Sequence, residues 1–77
     1  MANLDMYLVT GATGGIGRRV VRLLRERDLP VKAFVRLSSR YKELEQRGAE
    51  LFIGDLRQER DIKKACKGVQ YIISTHG

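Results

Sequence analysis

A chain of 77 residues has room for one small domain and no more. With 43% apolar and 31% charged residues it has neither a disordered nor a membrane composition, and no apolar run approaches the ~20 residues that span a bilayer. The net charge of +6 raises nucleic acid as a partner, but the basic residues run along the whole chain and alternate with acids, as in Arg25-Glu26-Arg27-Asp28 and Arg57-Gln58-Glu59-Arg60-Asp61, which is the pattern of solvated helix faces.

The first residues carry no basic n-region and lead straight into an apolar run, so no signal peptide is expected. The single cysteine, Cys66, cannot form an internal disulfide and fits a reducing compartment; a cytoplasmic location is the expectation.

Met6-Tyr7-Leu8-Val9-Thr10 is short, almost wholly apolar and closed by glycine, which predicts a strand buried on both faces. After Gly11-Ala12-Thr13-Gly14-Gly15-Ile16-Gly17 a helix is expected to run to about Arg27. Ile16, Val20, Leu23 and Leu24 would form its apolar stripe, with Arg18, Arg22 and Arg25 on the opposite face. Asp28-Leu29-Pro30 stops it, because proline cannot continue a helix. Val31–Val35 reads as a second strand. Ser38-Ser39 is a candidate N-cap for a short helix from Arg40 to Arg47, with Tyr41 and Leu44 facing inward and Gly48 as its stop. Glu50–Ile53 is a third strand, closed by Gly54-Asp55. A third helix is expected over Glu59–Lys67, burying Ile62, Ala65 and Cys66 and ending at Gly68, and Val69–Thr75 is a fourth strand.

Strands alternating with helices predict an α/β fold with right-handed crossovers and a parallel sheet. Doubly wound sheets of this kind order their first strands 3-2-1-4, so the expectation is a Rossmann-like half of three layers with four strands and three helices across residues 1–77.

The spacing Gly11-x-x-Gly14-x-x-Gly17 differs from the G-x-G-x-x-G dinucleotide fingerprint in its first interval, but the physical tasks match. The first glycine lets the chain turn off the strand, the second clears the approach to a pyrophosphate, and the third lets the helix pack closely. Unpaired N–H groups and the positive end of the helix dipole then face the phosphates. Small Ala12 and hydroxyl-bearing Thr13 suit that contact. The alternative is an ordinary flexible turn, which the strand before and the amphipathic helix after it argue against. No Lys-Ser or Lys-Thr follows, so a nucleoside-triphosphate P-loop is not indicated.

An NAD-selective unit places Asp or Glu at the end of its second strand to accept from the ribose 2′-OH. Here Arg36 stands at that position, with Ser38, Ser39 and Arg40 beyond it. A guanidinium pairs with a 2′-phosphate through charge-assisted hydrogen bonds, which points to NADP, with NAD as the alternative. The plainer reading is a solvated arginine leaving the sheet and serines that cap a helix.

Thr10–Gly17, the Val35-Arg36 strand end and Gly54-Asp55-Leu56 together resemble the start of an atypical short-chain dehydrogenase/reductase, most closely the NmrA-like branch. That branch shares this region with sugar-nucleotide epimerases, flavin reductases and isoflavone reductases. The resemblance covers essentially the whole chain but only the first half of such a protein, so a fragment of a longer chain is expected. It implies that Asp55 reaches the adenine with Leu56 packed beside it, and that Ser74 and Thr75 line the nicotinamide ribose. The alternative for Asp55 is a turn or cap before the third helix. The family's catalytic Tyr-x-x-x-Lys pair is missing: Tyr7, Tyr41 and Tyr71 have no lysine four residues on, Tyr71 is expected in the core, and His76 has no partner acid or metal-ligand cluster. The resemblance thus implies an NADP-binding segment of a reductase or epimerase. The alternatives are an NmrA-like sensor or assembly factor that turns nothing over and, more distantly, a basic nucleic-acid module.

Val69–Thr75 has the nearly continuous apolar character of a central strand, yet it would lie at the sheet edge. It is expected to be covered by the missing half of a longer protein or by a second chain.

Overall fold

The structure is a computed structural model that describes residues 5–38 and 40–75. The elements follow in the order β1 (Tyr7–Thr10), α1 (Gly15–Glu26), β2 (Val31–Val35), α2 (Lys42–Gln46), β3 (Glu50–Ile53), α3 (Glu59–Ala65) and β4 (Tyr71–Ser74). The four strands form one sheet in the order β3-β2-β1-β4. Every pairing is parallel, and the register sets Thr10 beside both Phe34 and Ser74, and Val35 beside Ile53. This is the expected Rossmann-like half.

Because neighbouring side chains on a strand point to opposite faces, each apolar strand supplies two cores. On one face Val9, Val31, Ala33 and Val35 pack with Val21 of α1 and Leu44 of α2, all buried. On the other, Leu8 and Phe34 pack with Ala65 of α3, and Phe52, Cys66 and Val69 close the cluster. All of β2 is buried, including Lys32. Its alkyl stem runs through the sheet layer, and its Nζ donates to the carbonyls of Ala65 and Lys67 at 3.0 and 3.1 Å, capping the C-terminal end of α3.

Several side chains lie elsewhere than the sequence pattern predicts. The buried stripe of α1 is Gly17, Val21 and, partly, Val20 and Leu24, whereas Ile16 and Leu23 are exposed. Arg18 and Arg25, expected in solvent, turn toward α2: Arg18 Nη2 donates to the Arg40 carbonyl at 3.3 Å, and Arg25 Nε to the Arg47 carbonyl at 3.1 Å. Ser38 does not cap α2. That helix starts later, at Lys42, with Tyr41 in the N-cap position and no side-chain cap, while Ser39 lies outside the described residues. Tyr41 and Leu44 do face the core, and Gly48 and Gly68 end their helices at positive φ. Helix α3 is shorter than expected, and Ile62 lies on its exposed side rather than in the core. Strand β4 spans only four residues. Tyr71 is half-exposed on that edge instead of buried, stacked on Tyr7 with ring centroids 5.0 Å apart; the Asp5 carboxylate beside it pushes its phenol pKa up.

The alternation of charge on the helices becomes ion pairs one turn apart: Arg22–Glu26, Arg47–Glu43 and Lys63–Glu59. All are exposed and worth little individually.

Candidate functional site

Beyond the carboxyl ends of the strands lies a cleft of about 440 Å³. It is lined by the glycine turn (Gly11, Thr13, Gly14), the end of β2 (Phe34, Val35, Arg36), the β3–α3 turn (Asp55, Leu56, Arg57) and Thr75 after β4. Each stretch arrives there because parallel strands all deliver their C-terminal ends to one side of the sheet.

The turn is held by two close approaches. Gly11 takes φ +64°, and a Cβ there would fall on the backbone oxygen of Thr75 and within 2.7 Å of its Oγ1. Thr75 Oγ1 in turn donates to the carbonyls of Thr10 and Gly11 at 2.7 and 3.0 Å, tying β4 to the turn. At Gly17 a Cβ would overlap the Gly11 carbonyl oxygen and come within 2.8 Å of the Ala12 Cα. The third glycine therefore lets the first turn of α1 lie against the loop that precedes it. Gly14 is the N-cap, extended at φ −77° and ψ 169°, with no side chain capping the helix and no acid in the first turn. A Cβ at Gly15 would meet nothing within 4 Å. The start of α1 is therefore uncovered, and its first amides have no partner within the helix. A diphosphate fits this arrangement: backbone donors, open approach and no competing carboxylate.

Asp55 is engaged with Arg57. Its Oδ1 accepts from the Arg57 backbone N–H at 2.8 Å and from Nε at 3.1 Å, and its Oδ2 accepts from Nε at 3.2 Å and Nη2 at 2.9 Å. These bonds, with smaller contributions from the charges of Arg57 and Arg36, hold the Asp55 carboxyl at a pKa of about 2, below its ordinary 3.8. The Asp55 N–H donates to Asp61 Oδ2 at 3.0 Å, so the β3–α3 turn is a closed hydrogen-bonded unit. A carboxylate offers about four acceptor sites, and Arg57 meets them with three N–H groups, its single Nε–H shared between the two oxygens.

Of the residues singled out in the sequence, Gly11, Thr13, Gly14, Arg36, Asp55, Leu56 and Thr75 meet in this cleft. Ser38 lies in a neighbouring hollow of about 550 Å³ that shares Arg36 and Asp55 with it. Ser74 instead lines an apolar hollow on the α3 side of the sheet. Ala12 is fully buried, Ile16 is exposed, and Arg40 is exposed with its carbonyl turned to Arg18. Arg57 was not anticipated; its signal was the Asp-x-Arg spacing, which suits a side chain closing back on the turn. His76 lies outside the described residues.

A parallel sheet whose strand order reverses between β1 and β4, with a glycine turn and a helix N-terminus at that reversal, defines the dinucleotide-binding class of doubly wound proteins. The chain belongs to the NAD(P)H-binding family, whose family model matches residues 11–77. Among its relatives, the NAD(P)H azoreductase of Xenophilus azovorans is 48% identical over 67 residues, which make up 87% of this chain and 23% of that protein. The photosystem II assembly factor Ycf39 of Cyanophora paradoxa is 38% identical over 68 residues, 88% of this chain and 21% of that one. Among solved structures, the binary complex of Vitis vinifera leucoanthocyanidin reductase with NADPH superposes with a TM-score of 0.84 at 27% identity, covering 95% of this chain and 27% of the reductase. The chain thus spans between a fifth and a quarter of the length of these curated relatives. It is an NAD(P)H-binding domain. Among the described residues no helix is long and apolar enough to cross a membrane.

Proposed function

We propose that the cleft binds the adenosine and pyrophosphate of NADP in preference to NAD, and that the chain is the cofactor-binding segment of an atypical short-chain reductase or epimerase. The observation that carries this reading is Arg36. It stands at the end of β2, where an NAD-selective unit carries an acid, and it lines both the main cleft and the hollow that contains Ser38. In this reading the amides of Gly15 and Ile16 hold the pyrophosphate, with Gly11, Ala12, Thr13, Gly14 and Gly17 shaping the loop; the Gly14 N–H donates to the Gly11 carbonyl at 3.0 Å and braces the turn. Arg36, Ser38 and Arg40 surround the 2′-phosphate. Leu56 flanks the adenine, and Asp55, held in place by Arg57, presents its edge to the exocyclic amine. Thr75 supports the turn beside the nicotinamide ribose, with Ser74 on the adjoining strand. The cofactor supplies hydride chemistry when bound; these residues bind and orient it.

Isothermal titration with NADP and NAD tests this. NADP should bind more tightly, and Arg36→Glu should reverse or erase the preference. Equal losses for both cofactors would remove Arg36 from the 2′ site.

A second reading is an NADP-binding factor that turns nothing over. The likeness to an assembly factor favours it. NADPH consumption by the full protein with quinone, azo or flavin acceptors separates the two. In either reading the β4 edge, with Tyr71 and Ile72 about half exposed, takes up a further strand from the longer protein or from a second copy.

A further inference from the structure

Helix α1 is fastened to the segment around α2 at two points that share one spacing. Arg18 Nη2 donates to the Arg40 carbonyl at 3.3 Å, just before α2, and Arg25 Nε donates to the Arg47 carbonyl at 3.1 Å, just after it. The two arginines are seven residues apart, two helical turns on one face of α1, and so are their acceptors. The straps differ in what lies near them. Arg25 sits at the far end, with its Nη1 also donating to the Leu29 carbonyl at 3.0 Å and its guanidinium against Gly48. Arg18 is in the first turns of α1, and the carbonyl it holds belongs to the loop that leaves Arg36 and carries Ser38.

Arg18 also carries an unmet demand. Its Nε is buried without a hydrogen-bond partner among the described residues. A buried guanidinium N–H lacking an acceptor is unfavourable, and the residue keeps that arrangement while holding the loop.

We propose that Arg18 is a positioning residue for cofactor choice: it straps the β2–α2 loop to the first turns of α1 and so sets the 2′-reading loop in register with the pyrophosphate site. This rests on the NADP reading given above. Arg18 acts through the Arg40 carbonyl, and Arg25 is its structural counterpart, holding the same segment away from the cleft.

The test compares Arg18→Met, Arg18→Lys and Arg25→Met in the full protein by titration with NADP and NAD, with amide hydrogen exchange of the ligand-free protein. Arg18→Met should weaken NADP by about tenfold, the factor that one charge-assisted hydrogen bond carries, and NAD by much less. Exchange should rise in the loop around Ser38–Tyr41. Lysine, which keeps one charged donor, should recover part of the NADP affinity. Arg25→Met should lower the melting temperature and leave the ratio of the two affinities unchanged. The proposal is overturned if Arg18→Met moves both affinities equally, or if loop exchange stays at the wild-type level. Wild-type protein that binds both cofactors alike would overturn the NADP reading itself, and the exchange data would still report whether the strap exists.

Discussion

Replacing Gly17 by alanine sets two effects of opposite sign against each other. An alanine inside a helix is favoured over glycine by about 1 kcal/mol. Against that, the new methyl would overlap the Gly11 carbonyl oxygen and crowd the Ala12 Cα. Both are backbone atoms, so no side-chain rotation relieves the clash; either α1 lifts off the sheet or the turn moves. Overpacking of this kind typically costs 1–3 kcal/mol, roughly, and a rigid backbone neighbour places it at the upper end. The net expectation is a loss of about 1–2 kcal/mol, which in a domain of this size lowers the melting temperature by roughly 5–15 °C. Gly15→Ala is the matched control, because its methyl meets nothing within 4 Å, and its melting temperature should hold or rise. Thermal melts followed by circular dichroism, repeated with NADPH, check both. Lifting α1 also displaces the amides at its start, so the stabilisation that NADPH gives the parent protein should shrink in Gly17→Ala. A Gly17→Ala protein that melts at or above the parent would refute the close-approach argument.

Asp55 should stay ionised far into acid. Its folded pKa of about 2 lies below the ordinary 3.8, so the Asp55–Arg57 bonds contribute fully above about pH 4 and are lost as pH falls through 3.8 toward 2. Carboxyl-carbon NMR should show this, with Arg57→Gln moving the midpoint up toward 3.8; an Asp55 already titrating near 4 in the parent would count against the pair. Lys32→Met keeps most of the buried stem but strips the carbonyls of Ala65 and Lys67 of their donor. It should lower stability by about 1–2 kcal/mol in urea unfolding and speed exchange in α3, and unchanged stability would mean those carbonyls find water instead. Thr75→Val removes the hydroxyl that ties β4 to Thr10 and Gly11, and should reduce both stability, by about 1 kcal/mol, and dinucleotide affinity. A loss of stability with affinity intact would limit Thr75 to a structural role.

The fold was legible because its signals are local and agree with one another. Apolar strands, glycine stops after two helices and the Pro30 break each sit where the chain changes direction. The buried stripe of α1 was misread for a geometric reason. Its contact positions are Gly17, Val21 and Leu24, and the stripe is anchored by a residue with no side chain for a hydropathy pattern to register. Starting the count at Ile16 rotates the face by one residue, about 100°. That turns Ile16 and Leu23 outward, and it brings Arg18 and Arg25, each one residue beyond a contact position, to the flank facing α2. Tyr71 was placed in the core although its strand was expected at the sheet edge, and that edge leaves it half exposed. Arg57 escaped notice because only a three-dimensional turn joins it to Asp55.

The same topology divides what these residues can decide from what they cannot. Every residue of the cleft comes from the end of β1, β2, β3 or β4, or from the turns that follow them, all inside this chain. The helix start, the end of β2 and the β3–α3 turn lie toward the β3 side of the strand reversal, where a doubly wound fold receives the adenosine half of a dinucleotide. A reacting nicotinamide and its substrate lie across the reversal, beyond β4, and here β4 is the last strand of the sheet. In the reading proposed above, recognition of the 2′ group is a local matter, resting on Arg36, the loop after it and the proposed strap that holds that loop. In the same reading, choice of substrate draws on chain outside these elements. Relatives that share this segment accordingly carry different roles in their names: one is named an azoreductase and another an assembly factor. Cofactor preference is then the property that should transfer with these residues when they are grafted onto a relative, and substrate range is the property that should stay behind.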